Sequence, residues 1–135
     1  MQEKWSRWEP INNLSKKYYV ESITDSITDG FKIILINDQN PEKKVLLSWP
    51  NTVYAYRSTY ESFTLLTLHN LSENYGTEFY DWTFFKIENS EYLKWISEQS
   101  YEITESLNFI HFCIYGTESM VEILDNSEPT VTLIG

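Results

Sequence analysis

One residue separates His111 from Cys113 in the run F-I-H-F-C-I-Y over 109–115. An imidazole and a thiol are the side chains best suited to metal binding or nucleophilic chemistry, and two uses have to be weighed. The pair could supply two zinc ligands, but a structural zinc takes four and a catalytic one takes three plus water. The only other histidine is His69, and there is no second cysteine, so the ligand set is incomplete. The thiol could instead be activated by the imidazole, which requires the two to hydrogen-bond. Residues i and i+2 of a strand lie roughly 6.5–7 Å apart, too far for that, and Phe112 and Ile114 around Cys113 have the character of a core. The expectation is a half-buried strand face with no metal and no catalytic role.

Carboxylates are the next candidates. Glu98, Glu102 and Glu105 fall on and after one predicted helix, and Glu118, Glu122 and Asp125 follow. Acid–base catalysis would need two of them in one cleft with pKa values pushed apart; the simpler reading is an exposed acidic surface. The chain carries no G-x-G-x-x-G, Walker loop, H-E-x-x-H, G-x-S-x-G or EF-hand spacing. No cofactor, metal or enzymatic activity is expected. Arg57, one of two arginines, follows the apolar run V-Y-A-Y, and Glu61 stands four residues on. An ion pair between them, pinning a strand end to the next helix, is the structural expectation, with a plain surface position as the alternative.

The charge is unevenly distributed. The formal net charge is −10. Residues 1–67 hold eight basic and eight acidic side chains, whereas residues 68–135 hold only Lys86 and Lys94 against twelve acids. Such a surface repels nucleic-acid phosphate and draws in basic proteins, speeding their encounter; the plain alternative is a solvated face that aids solubility.

Positioning these side chains falls to one domain, since 135 residues can bury roughly two-thirds of the unfolded surface. The single cysteine allows no internal disulfide, and the opening M-Q-E-K-W-S-R-W-E-P has no apolar h-region. A reducing, cytoplasmic location and no membrane span are therefore expected. Trp5 and Trp8 suggest one helical turn or an arm over the core. Strands are expected at Lys17–Ile23, Phe31–Ile36, Val45–Trp49 and Val53–Arg57, joined as an antiparallel meander with a turn at Asp29-Gly30. Thr59–Tyr75 favours a helix ended by Gly76, with a Phe63/Leu65 alternation as the competing strand pattern. A strand from Trp82 then turns through Asn89-Ser90, good N-caps, into a helix bearing Tyr92, Leu93, Ile96 and Ile103 at helical spacing, with Trp95 beside them. Phe109–Tyr115 is the clearest alternating strand. Met120–Leu124 reads as a short strand or helical turn, and Val131–Ile134 closes the chain. The predicted fold class is α+β: a mostly antiparallel sheet of about six or seven strands with two main helices.

Several runs also resemble a known family. They are Tyr54-x-Tyr56-Arg57-Ser58-Thr59-x-Glu61; Trp82-Thr83-Phe84-Phe85-Lys86-Ile87-x-Asn89-Ser90-x-Tyr92-Leu93-x-Trp95; Ile110-His111-Phe112; and Val121-x-Ile123-Leu124 ahead of Glu128-Pro129. Together, over roughly residues 45 to 131, they resemble small acidic bacterial proteins that include immunity proteins encoded beside contact-dependent or polymorphic toxins. Members often carry an acid at the position of Tyr60; its absence here leaves the Arg57 pairing to Glu61. The resemblance implies no catalytic residues. It implies a protein that binds and neutralises a cognate toxin domain, a basic protein such as a nuclease. The docking residues expected for that role are Glu98, Tyr101, Glu102, Glu105, Glu118, Glu122 and Asp125, with Tyr101 as the aromatic anchor. The competing readings are an interaction or regulatory module for another basic partner, and a small-molecule binder or enzyme with a pocket hidden in the sequence.

Overall fold

The computed structural model describes residues 2–102 and 106–135. Among these residues, nine strands form two antiparallel sheets, with two α-helices on the outside of one of them. The strands are β1 (Lys4–Arg7), β2 (Tyr18–Ser26), β3 (Gly30–Asn37), β4 (Lys44–Trp49), β5 (Ala55–Tyr60), β6 (Phe84–Glu88), β7 (Ile110–Tyr115), β8 (Ser119–Asp125) and β9 (Thr130–Ile134); the helices are α1 (Leu65–Tyr75) and α2 (Glu91–Gln99). One sheet runs β1-β6-β7-β8-β5 and the other β2-β3-β4-β9. The single sheet of six or seven strands expected from sequence is thus two sheets of five and four.

Two apolar layers separate three tiers. Between the sheets, Phe31, Ile33, Leu35, Val45, Leu47 and Trp49 meet Phe84, Phe112, Ile114, Val121 and Ile123, and Trp8 joins them. On the opposite face of the five-stranded sheet, Trp5, Phe85, Ile87, Cys113, Tyr115 and Met120 pack with Leu71 of α1. Each of these strands therefore sends alternate side chains into two different cores. The central strand β7 is buried on both faces, so His111 and Cys113 are fully covered rather than half-buried.

The expected four-strand meander stops at three. β2, β3 and β4 pair in sequence, but β5 crosses to the edge of the other sheet and pairs with β8. The Asp29-Gly30 turn is present, and glycine is required there: Gly30 has φ +85°, and a Cβ on it would meet the Trp49 carbonyl oxygen at 2.2 Å. The N-terminal arm is an edge strand, β1, antiparallel to β6, not a helical turn. The segment read as helix from Thr59 begins as β5, passes through a 3-10 turn (Glu61–Phe63) and becomes helical only at Leu65. Gly76, at φ +89°, ends α1 as expected. Ser90 caps α2 by accepting the Leu93 N–H at 2.9 Å. Met120–Leu124 lies within strand β8, and the C-terminal run is β9, paired with β4. No described helix is long and apolar enough to cross a membrane.

Candidate functional site

Strand register builds a polar network inside the helix-covered face. Arg57 of β5 stands opposite Glu122 of β8. Its guanidinium donates through Nε to Glu122 Oε2 at 2.5 Å and through Nη2 to Oε1 at 3.1 Å. This two-pronged contact is the strong geometry for an arginine and a carboxylate. Glu122 Oε1 also lies 3.0 Å from His111 Nε2, and His111 Nδ1 lies 2.6 Å from Ser90 Oγ. An ionised carboxylate only accepts, so Nε2 carries a proton. In the neutral ring, Nδ1 then accepts the Ser90 hydroxyl, whose oxygen accepts the Leu93 N–H. Burial alone would raise the Glu122 pKa, but the bonds from His111 and Arg57 outweigh it and hold the carboxyl below its usual range. The partner expected for Arg57, Glu61, is engaged elsewhere: its Oε2 accepts the Glu118 N–H at 3.0 Å.

Ser90, His111 and Glu122 superficially match a nucleophilic triad. Two features make this a pin between α2 and the sheet instead. All three residues are no more than 4% exposed, so no substrate reaches the hydroxyl. The serine oxygen is also committed as the helix cap, whereas a nucleophile must point at open space beside oxyanion donors. Cys113 is equally inaccessible, and burial pushes its thiol well above the usual value. Among the described residues, no group of three or more His, Cys, Asp or Glu is placed to hold a metal ion.

The predicted docking residues divide into four groups. Glu98 is exposed on α2, and Tyr101 (95% exposed) and Glu102 stand in the turn that follows it. That turn is closed by Tyr101 N–H to Glu98 O at 3.4 Å and Glu102 N–H to Ser97 O at 2.7 Å. Glu118 is exposed on a different element, the β7–β8 turn beside Glu61. Glu105 lies outside the described residues. Glu122 and Asp125 are buried rather than on a docking face: Glu122 accepts from Arg57 and His111, and Asp125 Oδ2 accepts from Ser127 N–H and Oγ–H. Neither offers its carboxylate to a partner.

Sequence reasoning missed two further positions. Trp95, assigned only a place beside the helix's apolar face, is 55% exposed. It stacks on Tyr92 at 6.5 Å and 26°, and Tyr92 in turn lies under the Arg57 guanidinium, 4.1 Å from ring centroid to Cζ. Lys17 is the other. Its ammonium donates to the carbonyls of Tyr80, Trp82 and Tyr115 at 3.3, 2.9 and 2.7 Å, and burial lowers its pKa to about 8. A lone charge inside an apolar run (Arg57, Glu122) was the available signal for the network; nothing local marked Lys17.

A cleft of about 420 Å³ lies between β1, α1 and the start of α2, with Glu3, Glu73 and Glu91 around Trp5, Leu71 and Tyr75. Two of its acids are already engaged: Glu3 Oε2 accepts the Glu91 N–H at 2.8 Å, and Glu91 pairs with Lys94 at 3.3 Å. In comparisons with protein-family models, curated proteins and solved structures, the chain matches none.

Proposed function

We propose that this chain is a non-catalytic, stoichiometric inhibitor of the immunity type, which binds a basic toxin domain and blocks it in the cytoplasm. The observation that carries the reading is the exposed patch at the end of α2. Trp95, Glu98, Tyr101 and Glu102 are all exposed along α2 and the turn that follows it, on a half of the chain that holds all of the excess negative charge. Long-range attraction steers a basic partner toward such a patch, and amphipathic aromatic rings supply contact energy with little side-chain entropy to lose. A nuclease domain, whose substrate surface is basic, is the fitting toxin class. The polar groups that could have suggested catalysis are consumed in holding the fold, which favours binding over turnover as the role.

The test is genetic and biochemical. The gene is expected to lie just downstream of a large secreted-toxin gene. Its product should co-purify with that toxin's C-terminal domain and protect cells that express the domain. Cells that die equally with and without the protein overturn the reading.

A further inference from the structure

We infer that Trp95 is an arginine-reading anchor, and that the buried network beneath it serves to hold its ring in place. This deepens the inhibitor reading, on which the identity of the partner as a protein rests. The inference comes from a continuous chain of contacts. Ser90, His111 and Glu122 hold the Arg57 guanidinium through hydrogen bonds. Arg57 Cζ lies 4.1 Å from the Tyr92 ring centroid, and the Trp95 indole runs near-parallel to Tyr92, centroids 6.5 Å apart at 26°. Tyr92 is further set edge-on to His111, at 5.8 Å and 74°. A half-exposed indole would ordinarily be free to change rotamer; this one is layered on a ring that is itself clamped. Anchors fixed before binding lose less entropy on docking and so contribute more.

The occupant follows from the charges around the ring. Glu91 precedes Trp95 by four residues and Glu98 follows it by three, so both flank the ring on one helix face. Lys94, the one cation of α2, is held by Glu91 at 3.3 Å. Among the described residues, Glu98 makes no ion pair. A guanidinium can stack on the indole while its N–H groups engage Glu98, using a π-face and a carboxylate together. A lysine ammonium offers no plane to stack. The surface therefore fits an arginine on the rim of a basic protein.

The five tryptophans give five indole N–H signals, with Trp95 identified by its loss in Trp95→Phe. The full chain is titrated with acetyl-Gly-Arg-Gly-Arg-Gly-amide and, separately, with the lysine equivalent. The Trp95 signal should shift saturably, while those of buried Trp5, Trp8 and Trp49 stay still. The lysine peptide should need about threefold or more higher concentration, and Glu98→Gln should weaken arginine-peptide binding by a similar factor. An unmoved Trp95 signal, or equal response to both peptides, overturns the assignment. Arg57→Lys keeps the charge but removes the planar fork; it should increase the fast motion of the Trp95 indole and weaken peptide binding. Unchanged motion and affinity in that variant overturn the positioning role. None of these measurements needs the toxin. Failed protection in cells therefore strikes the inhibitor reading alone, while protection with undiminished toxin affinity in Trp95→Ala strikes the anchor alone.

Discussion

At the scale of single residues, Glu122 has the clearest consequences. Its side chain is almost wholly buried while that of Arg57 is 49% exposed, so the two halves of the pair are not equivalent. Glu122→Gln keeps one acceptor oxygen but removes the charge and sets a buried NH2 against an N–H donor of Arg57 or His111; removing the guanidinium leaves Glu122 still bonded to His111. Glu122→Gln should therefore cost about 2–3 kcal/mol at pH 7, and Arg57→Met about 1 kcal/mol, measured by urea unfolding. The opposite order would contradict the network. Because the folded pKa of Glu122 is depressed, its contribution is present above the unfolded value of about 4.5 and is lost as pH falls through the folded one. The gap between wild type and Glu122→Gln should thus narrow on acidification below pH 4.5. Lys17 has the opposite kind of signature. Its folded pKa of about 8 lies below the ordinary 10.5, so between those values the unfolded chain holds more protons and stability rises with pH. Two buried groups oppose this: the Cys113 thiol, held well above its ordinary 9.0, from around pH 9 upward, and Tyr115, pushed up to about 12, above pH 10. Between about pH 8 and 9 the denaturation midpoint should therefore climb less in Lys17→Met than in wild type, because the opposing groups are common to both. Single residues were read unevenly from sequence. His111 and Cys113 were expected on a half-buried strand face and are fully covered, and Glu122 was taken for a surface acid, because the residue that justifies burying it arrives from a strand 65 positions away.

At the scale of elements, the caps and turns were the most legible parts. Asn89-Ser90 and Gly76 act over a few neighbouring residues, so local chemistry settled them. β1 went unread because only Trp5 of its four residues is buried, too short a pattern to declare a period. The division into two sheets was hidden for a related reason: alternation reports that a strand has faces, not which layer each face meets. The turn glycines offer a direct contrast. Gly30 and Gly76 both have positive φ, but a Cβ at Gly30 strikes the Trp49 and Pro50 backbone, whereas nothing lies within 4 Å at Gly76. Gly76→Ala should cost about 1–3 kcal/mol from backbone strain alone, since φ +89° with ψ 162° is a conformation only glycine adopts readily. Gly30→Ala should cost well beyond that, enough to shift the β2–β3 hairpin against β4. Similar thermal midpoints for the two variants would mean that the close approach at Gly30 is not felt.

At the scale of the whole molecule, the total charge was readable from sequence, but its placement was not. Of the seven residues expected to form one docking face, Glu98, Tyr101 and Glu102 stand together at the end of α2, Glu118 is exposed on another turn, and Glu122 and Asp125 are interior. The α2 patch with Trp95 is what remains of the expected surface, smaller than the charge count implied and richer in aromatic contact. The claim that matters most is that this patch captures a positively charged protein. Its most direct measurement is the association rate with the toxin domain proposed as its partner, followed from about 20 to 500 mM salt. The rate should fall steeply with added salt, and Glu98→Gln/Glu102→Gln should flatten that dependence while leaving unfolding unchanged. A rate indifferent to salt, or a slope the double variant leaves intact, would contradict the account.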